Sequence, residues 1–136
     1  MTFSLVARCA KTGMFGIAIS SSSPAVAARC SYARAKVGAV ASQNVTDPTL
    51  GPLALDLMQT GLSAAQTIQD IKSIGKFIEY RQVLVIDNEG LTSIHSGPNS
   101  LGIWTQAEGK DVAAGGNLLA NDRVPQAIVD GFISSD

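Results

Sequence analysis

A chain of 136 residues with 46% apolar and 15% charged residues is long enough for one packed core and too apolar for disorder. A net charge of −1 argues against nucleic acid or a membrane surface as partner, and no apolar run approaches the roughly 18 residues of a spanning helix. A single domain, residues 1–136, is expected.

TFSLVAR, residues 2 to 8, sets Thr2, Ser4, Val6 and Arg8 against Phe3, Leu5 and Ala7. That period of two predicts a strand with two different faces. AKTG supplies a turn, and FGIAIS alternates again, with Phe15, Ile17 and Ile19 opposite Gly16, Ala18 and Ser20. The nearly bare second face predicts close approach by another backbone, a ligand or a second sheet. SSSSPAVAARCSYARA reads as loop or short helix, VGAVASQ (37–43) as a third strand, and NVTDPTLGP as loop.

Two helices follow. In the first, Pro52 fits the opening turn, Ala54, Leu57 and Met58 share a face, and Gly61 closes the end. In the second, Ser63 and Gln66 have the spacing of a capping box, ahead of a stripe of Ala64, Ile68 and Ile71. YRQVLVID predicts a strand buried on both faces, turning through Asp87–Gly90 into LTSIH. GPNSLG is loop, and VAAGGNLLA (112–120) is either a short strand or a glycine-rich turn. A last helix carries Val124, Ala127, Ile128 and Phe132, with Asn121 or Asp122 at its cap. Hairpins with helices gathered in pairs predict antiparallel sheets covered by helices.

The charges are unevenly placed. Arg8, Lys11, Arg29, Arg34 and Lys36 all precede the first acidic residue, Asp47. They are either solvated surface charge or a positive field that draws a small anion. Cys9 and Cys30 form no CxxC pair and His95 is the only histidine, so no zinc site is expected. Two thiols fit a reducing cytoplasm. MFGIAISSSSPAVAA imitates a secretion signal, but its short apolar run begins only at Met14.

Thr2 is the residue with the most chemistry to offer. A threonine hydroxyl attacks poorly without a base, and His95 has no evident carboxylate partner to make a triad. If Met1 is removed, the α-amine of Thr2 lies covalently beside its own hydroxyl and has an ordinary pKa near 8. Positive charge nearby lowers that value. With Met1 retained, the nitrogen is an amide and no base.

MTFSLVAR, the TG turn with FGIAISSSSPAV, ARAKVGAVASQNVTDPTLGPLALDLMQTGLSA, EYRQVLVIDNEG and GGNLLA occur in this order. Together, from Met1 to about Phe132, they resemble DUF1028, a family assigned to the N-terminal-nucleophile (Ntn) hydrolases. The resemblance implies an α+β fold, an αββα sandwich of two stacked antiparallel sheets flanked by helices and short at its C-terminus. It implies Thr2 as nucleophile with its own amine as base, accompanied by Asn117 and Arg34. Ser20, Ser22, Asn44, Arg81 and Gly116 become candidates for substrate binding, with backbone N–H groups around Gly115 and Gly116 as oxyanion donors. Neither metal nor cofactor is implied. Typical members continue further, so a second copy or another chain is expected to complete the sandwich.

Two functions are therefore carried forward. The first is a cytoplasmic hydrolase that opens an amide or amine C–N bond of a small anionic metabolite, as amidohydrolase or deaminase. The second is a ligand-binding or assembly module without catalysis on the same fold.

Overall fold

The computed structural model describes residues 1–135; Asp136, the end of the expected domain, lies outside the described residues. Eight strands form two four-stranded antiparallel sheets. The first sheet has the order β2-β1-β8-β7, from β1 (Thr2–Arg8), β2 (Phe15–Ser21), β7 (Thr105–Gly109) and β8 (Val112–Asn117). The second has the order β3-β4-β5-β6, from β3 (Ser31–Arg34), β4 (Gly38–Gln43), β5 (Gln82–Asp87) and β6 (Thr92–Ser96). Between them in sequence lie α1 (Ala27–Cys30), α2 (Leu50–Gln59) and α3 (Ala64–Ile74), with α4 (Val124–Ile133) last.

Three cores separate four layers. Val6, Ala39, Ala41, Leu84, Ile86 and Ala113 fill the space between the sheets, joined by Phe15 and Ile17. Val40, Val83 and Val85, on the other face of the second sheet, pack against Leu50, Ala54, Met58, Ile68 and Ile71 of α2 and α3. Ala7, Val112 and Ala114 pack against Val129 of α4. Each fully buried Val, Leu or Ile side chain contributes about 1.5–3 kcal/mol of transfer free energy. The chain is thus mixed α+β, and its layers run helices, sheet, sheet, helix.

Local chemistry explains the elements. The capping box forms: the Ser63 hydroxyl accepts from Gln66 N–H at 3.3 Å, and Gln66 Oε1 accepts from Ser63 N–H at 2.9 Å. Asp87 fastens the β5–β6 turn to α3, accepting from Ala64 N–H through one carboxylate oxygen and from Glu89 and Leu91 N–H through the other. VAAGGN resolves as a central strand, β8, because Gly115 presents no side chain where Leu84 and Gln82 approach from the opposite sheet.

Several expectations need correction. The bare face of β2 packs against nothing; Gly16, Ala18 and Ser20 are exposed, because α4 covers β1, β8 and β7 but stops short of β2. The bulky face, Phe15 and Ile17, meets the second sheet instead. Leu55 lies deep in the α2 face, while Leu57 is only partly buried. The last helix starts at Val124 with Arg123 in the cap position, not Asn121 or Asp122: Asn121 Oδ1 accepts from Arg123 N–H at 3.0 Å and closes the turn before it. Val129 then leads the buried stripe, with Ala127 exposed.

Candidate functional site

Thr2 opens β1 and pairs with Ser21 of β2 on one side and Asn117 of β8 on the other. Its hydroxyl lies 2.8 Å from the Ser21 hydroxyl. Both side chains face a cleft of about 150 Å³ at this end of the sheets. Met1 continues the ladder: Ser22 N–H donates to the Met1 carbonyl at 3.0 Å, and the Met1 amine donates to Ser22 Oγ at 3.1 Å.

A buried polar network lies inward of Thr2, and two of its members, Gln43 and Asn117, also line the cleft. Gln43 and Gln82 end β4 and start β5, and period two places both side chains between the sheets. Ser4 Oγ donates to Gln43 Oε1 at 2.7 Å, and Gln43 Nε2 donates to Gln82 Oε1 at 2.8 Å and to the Gly115 carbonyl at 3.2 Å. Asn117 Nδ2 donates to the same Gln82 oxygen at 3.4 Å, while Gln82 Nε2 reaches Ser96 Oγ at 2.9 Å. Ser4, Gln43, Gln82 and Asn117 are all buried. Amides in such a place are tolerated because their hydrogen bonds are made.

The walls are backbone held in unusual shapes. Asn44, Val45 and Leu118 have φ of 60°, 45° and 51°, and all three line the cleft. Left-handed conformations of non-glycine residues cost of order 1–3 kcal/mol each and gather at functional sites. Asn44 is over-determined: its Nδ2 donates to the Tyr80 carbonyl at 2.5 Å and its Oδ1 accepts from Leu101 N–H at 3.1 Å. Arg81 fastens the same loop by donating to the Val45 carbonyl.

The residues expected from sequence divide accordingly. Thr2, Ser22, Asn44 and Asn117 come together around the cleft. Ser20 belongs to the exposed opposite face of β2, and its neighbour Ser21 meets Thr2 instead. Arg34 is spent on α2, donating to Asp56 Oδ1 at 2.9 Å and to Gln59. Arg81 stands behind the Val45 loop, outside the lining. Gly116 is held between β1 and β7, and a Cβ there would come 2.6 Å from Leu119. Reasoning from sequence missed Ser21, Gln43 and Gln82, and named Arg29 only as one of five basic residues in a positive field. A glutamine at the end of each central strand was the one available signal.

Residues 2–136 match the family of unknown function DUF1028. The chain belongs to this family. Among solved structures, this DUF1028 chain resembles protein SPO2555 from Silicibacter pomeroyi, also a DUF1028 protein, with TM-score 0.95 and 25% identity. The similarity covers 99% of this chain and 63% of that one, so the chain spans less than two thirds of its structural relative. No curated protein matches.

Chemically, the DUF1028 cleft offers the paired hydroxyls of Thr2 and Ser21 beside those of Ser22, Ser23 and Thr46, with carboxamides, the Cys30 thiol, the Met1 amine and one guanidinium, and no aspartate, glutamate or histidine in its lining. His95 lies on β6, its Nε2 2.8 Å from the Ile78 carbonyl. Among the described residues no three His, Cys, Asp or Glu side chains gather as metal ligands, and no helix is long and apolar enough to cross a membrane. A larger hollow of about 560 Å³ opens at the opposite end of the sheets, between Ser63, Glu89, Thr92 and Lys110. It contains none of the network.

Proposed function

We propose that the chain is an Ntn-type hydrolase that cleaves an amide or amine C–N bond of a small anionic metabolite, with Thr2 as nucleophile after removal of Met1. One observation carries this reading. A threonine hydroxyl at the mouth of a strained polar cleft has no histidine or carboxylate beside it to act as base. The amine of Thr2 itself is then the nearest group able to take the proton.

In the amidase form, the Thr2 amine accepts the hydroxyl proton as Oγ1 bonds to the substrate carbonyl carbon. The tetrahedral oxyanion takes a hydrogen bond from Asn117 Nδ2, whose other N–H is fixed on Gln82. The Thr2 ammonium returns its proton to the departing nitrogen, the C–N bond breaks, and an ester to Thr2 remains. Water, deprotonated by the same amine, hydrolyses that ester and releases the acid.

The test combines intact mass with turnover in one sample. Trimmed protein that hydrolyses a short amide, and loses this with Thr2→Ala, supports the reading; active protein with Met1 uniformly retained ends it. One observation favours the non-catalytic module: Met1 already sits in the β1–β2 ladder with both its amine and its carbonyl engaged by Ser22. In that version Met1 stays and the cleft binds an anion without turnover.

A further inference from the structure

Of the five basic residues that precede the first acid, two are neutralised away from the cleft. Arg8 pairs with Asp111 at 3.5 Å near the far end of β1, and Arg34 pairs with Asp56 on α2. Lys11 and Lys36 lie exposed outside the lining. Arg29 alone shares the cleft with Thr2, and among the described residues no carboxylate pairs with it.

Its position is fixed from both ends. The Tyr32 hydroxyl donates to the Arg29 carbonyl at 2.9 Å, and Arg29 Nη1 donates to the Pro24 carbonyl at 2.6 Å. One of five guanidinium N–H groups is thereby used, and the rest of the planar fork is free. A half-buried guanidinium without a counter-ion, in a cleft whose only other charged group is the chain's own α-amine, recognises an anion. The fork matches a carboxylate with two parallel hydrogen bonds. At about 150 Å³ the cleft is well below the roughly 300 Å³ at which sites for drug-sized ligands begin. One carboxylate and a few carbons fill it.

We infer that Arg29 is the specificity-determining residue of the cleft: it receives the carboxylate of a short-chain acid and so presents the acid's distal C–N bond to Thr2. Selection of the carboxylate stands on the charge and geometry of Arg29; only the fate of the C–N bond rests on the function proposed above. Arg29 and the chain's α-amine are the two cations at the cleft, and a carboxylate on a short carbon chain is the proposed occupant, with phosphate as its competitor.

Calorimetry on the trimmed full chain tests this, with Thr2→Ala present to stop turnover. The probes are succinamic acid, its neutral diamide and inorganic phosphate. Succinamic acid is expected to bind, and Arg29→Gln to weaken it at least tenfold with no change for the diamide. Arg29→Lys, which keeps the charge and loses the fork, falls between. Added salt weakens the acid and spares the diamide. Unfolding curves for both variants check the fold, and Arg29→Lys with the salt series decides the matter if Arg29→Gln is unstable. The inference is overturned if the acid fails to bind or Arg29→Gln binds it normally. Equal binding of the diamide, or tighter binding of phosphate, overturns it as well. Arg29-dependent binding of the acid with no hydrolysis by trimmed wild type sinks the Thr2 mechanism and leaves Arg29 standing.

Discussion

Gln43 and Gln82 face each other across adjacent strands, amide to amide at 2.8 Å, where each is 1% exposed or less. The Gln82 oxygen accepts from both Gln43 and Asn117. Replacing Gln82 by Leu preserves approximate volume and strands two buried N–H groups. Each orphaned donor costs about 1–3 kcal/mol. Denaturant melts should place Gln82→Leu about 2–4 kcal/mol below wild type, well beyond a surface substitution. A loss under about 0.5 kcal/mol would mean that water reaches the network.

Thr2 and Asn117 should separate by kinetics. In trimmed protein Thr2→Ala is expected to abolish turnover, and Thr2→Ser to retain a measurable fraction because the hydroxyl survives. Asn117→Ala removes one oxyanion donor, for which about 100- to 1,000-fold in kcat is the usual loss. An unchanged kcat with a raised KM would make Asn117 a binding residue only.

Two glycines should respond in opposite directions to alanine. At Gly51 a new Cβ would lie 2.0 Å from the Tyr32 ring, which packs against the start of α2, so overpacking costs about 1–3 kcal/mol. At Gly131, inside α4, a Cβ meets nothing within 4 Å. There the helix gains about 0.5–1 kcal/mol from reduced backbone entropy in the unfolded chain. Thermal melts of the two variants are expected to bracket wild type.

Asp47 makes stability depend on acid. The Thr49 hydroxyl and N–H both donate to its carboxylate, at 2.6 and 2.9 Å, and hold its pKa below the ordinary carboxylate value. A depressed folded pKa contributes stability above the unfolded value, near 3.9, and the contribution disappears as pH falls through the folded one. Asp47→Ala should therefore cost about 1 kcal/mol at pH 7, the usual net worth of a hydrogen bond. The gap to wild type should narrow below about pH 4. A gap constant from pH 7 to pH 2 would assign the effect to packing.

The two thiols should be distinguishable by rate. Hydrogen bonding from Thr12 favours the Cys9 thiolate, and Cys9 is half-exposed; Cys30 is 1% exposed. A thiol reagent should consume one equivalent quickly and the second only on unfolding. Cys9→Ser should remove the fast phase.

The fold was legible where periodicity or capping is strong. Alternation marks β1 and β2, an unbroken apolar run marks β5, and Ser63 with Gln66 announces α3. Two edge strands escaped. SYAR (β3) and TQAEG (β7) pair on one side only and lack a β-branched run, so nothing local distinguishes them from loop. The site was harder to read because strand parity decides it. Ser20 and Ser21, or Arg81 and Gln82, are neighbours in sequence and face opposite ways, and a register slip of one exchanges them. Choosing Arg29 over Arg34 requires knowing that Asp56 waits on α2, which no local pattern contains.

β1 has its two partners at very different distances along the polypeptide. β2 lies in the first 21 residues, whereas β8 ends at Asn117. At ribosomal speeds of about 5–20 residues per second, the intervening stretch takes roughly 5–20 s to appear. During that interval one margin of β1 has no neighbour, and Thr2 is flanked on one side only. Once β8 docks, Thr2 is enclosed between two strands. The schedule of synthesis thus sets a deadline for any trimming that the finished cleft would hinder.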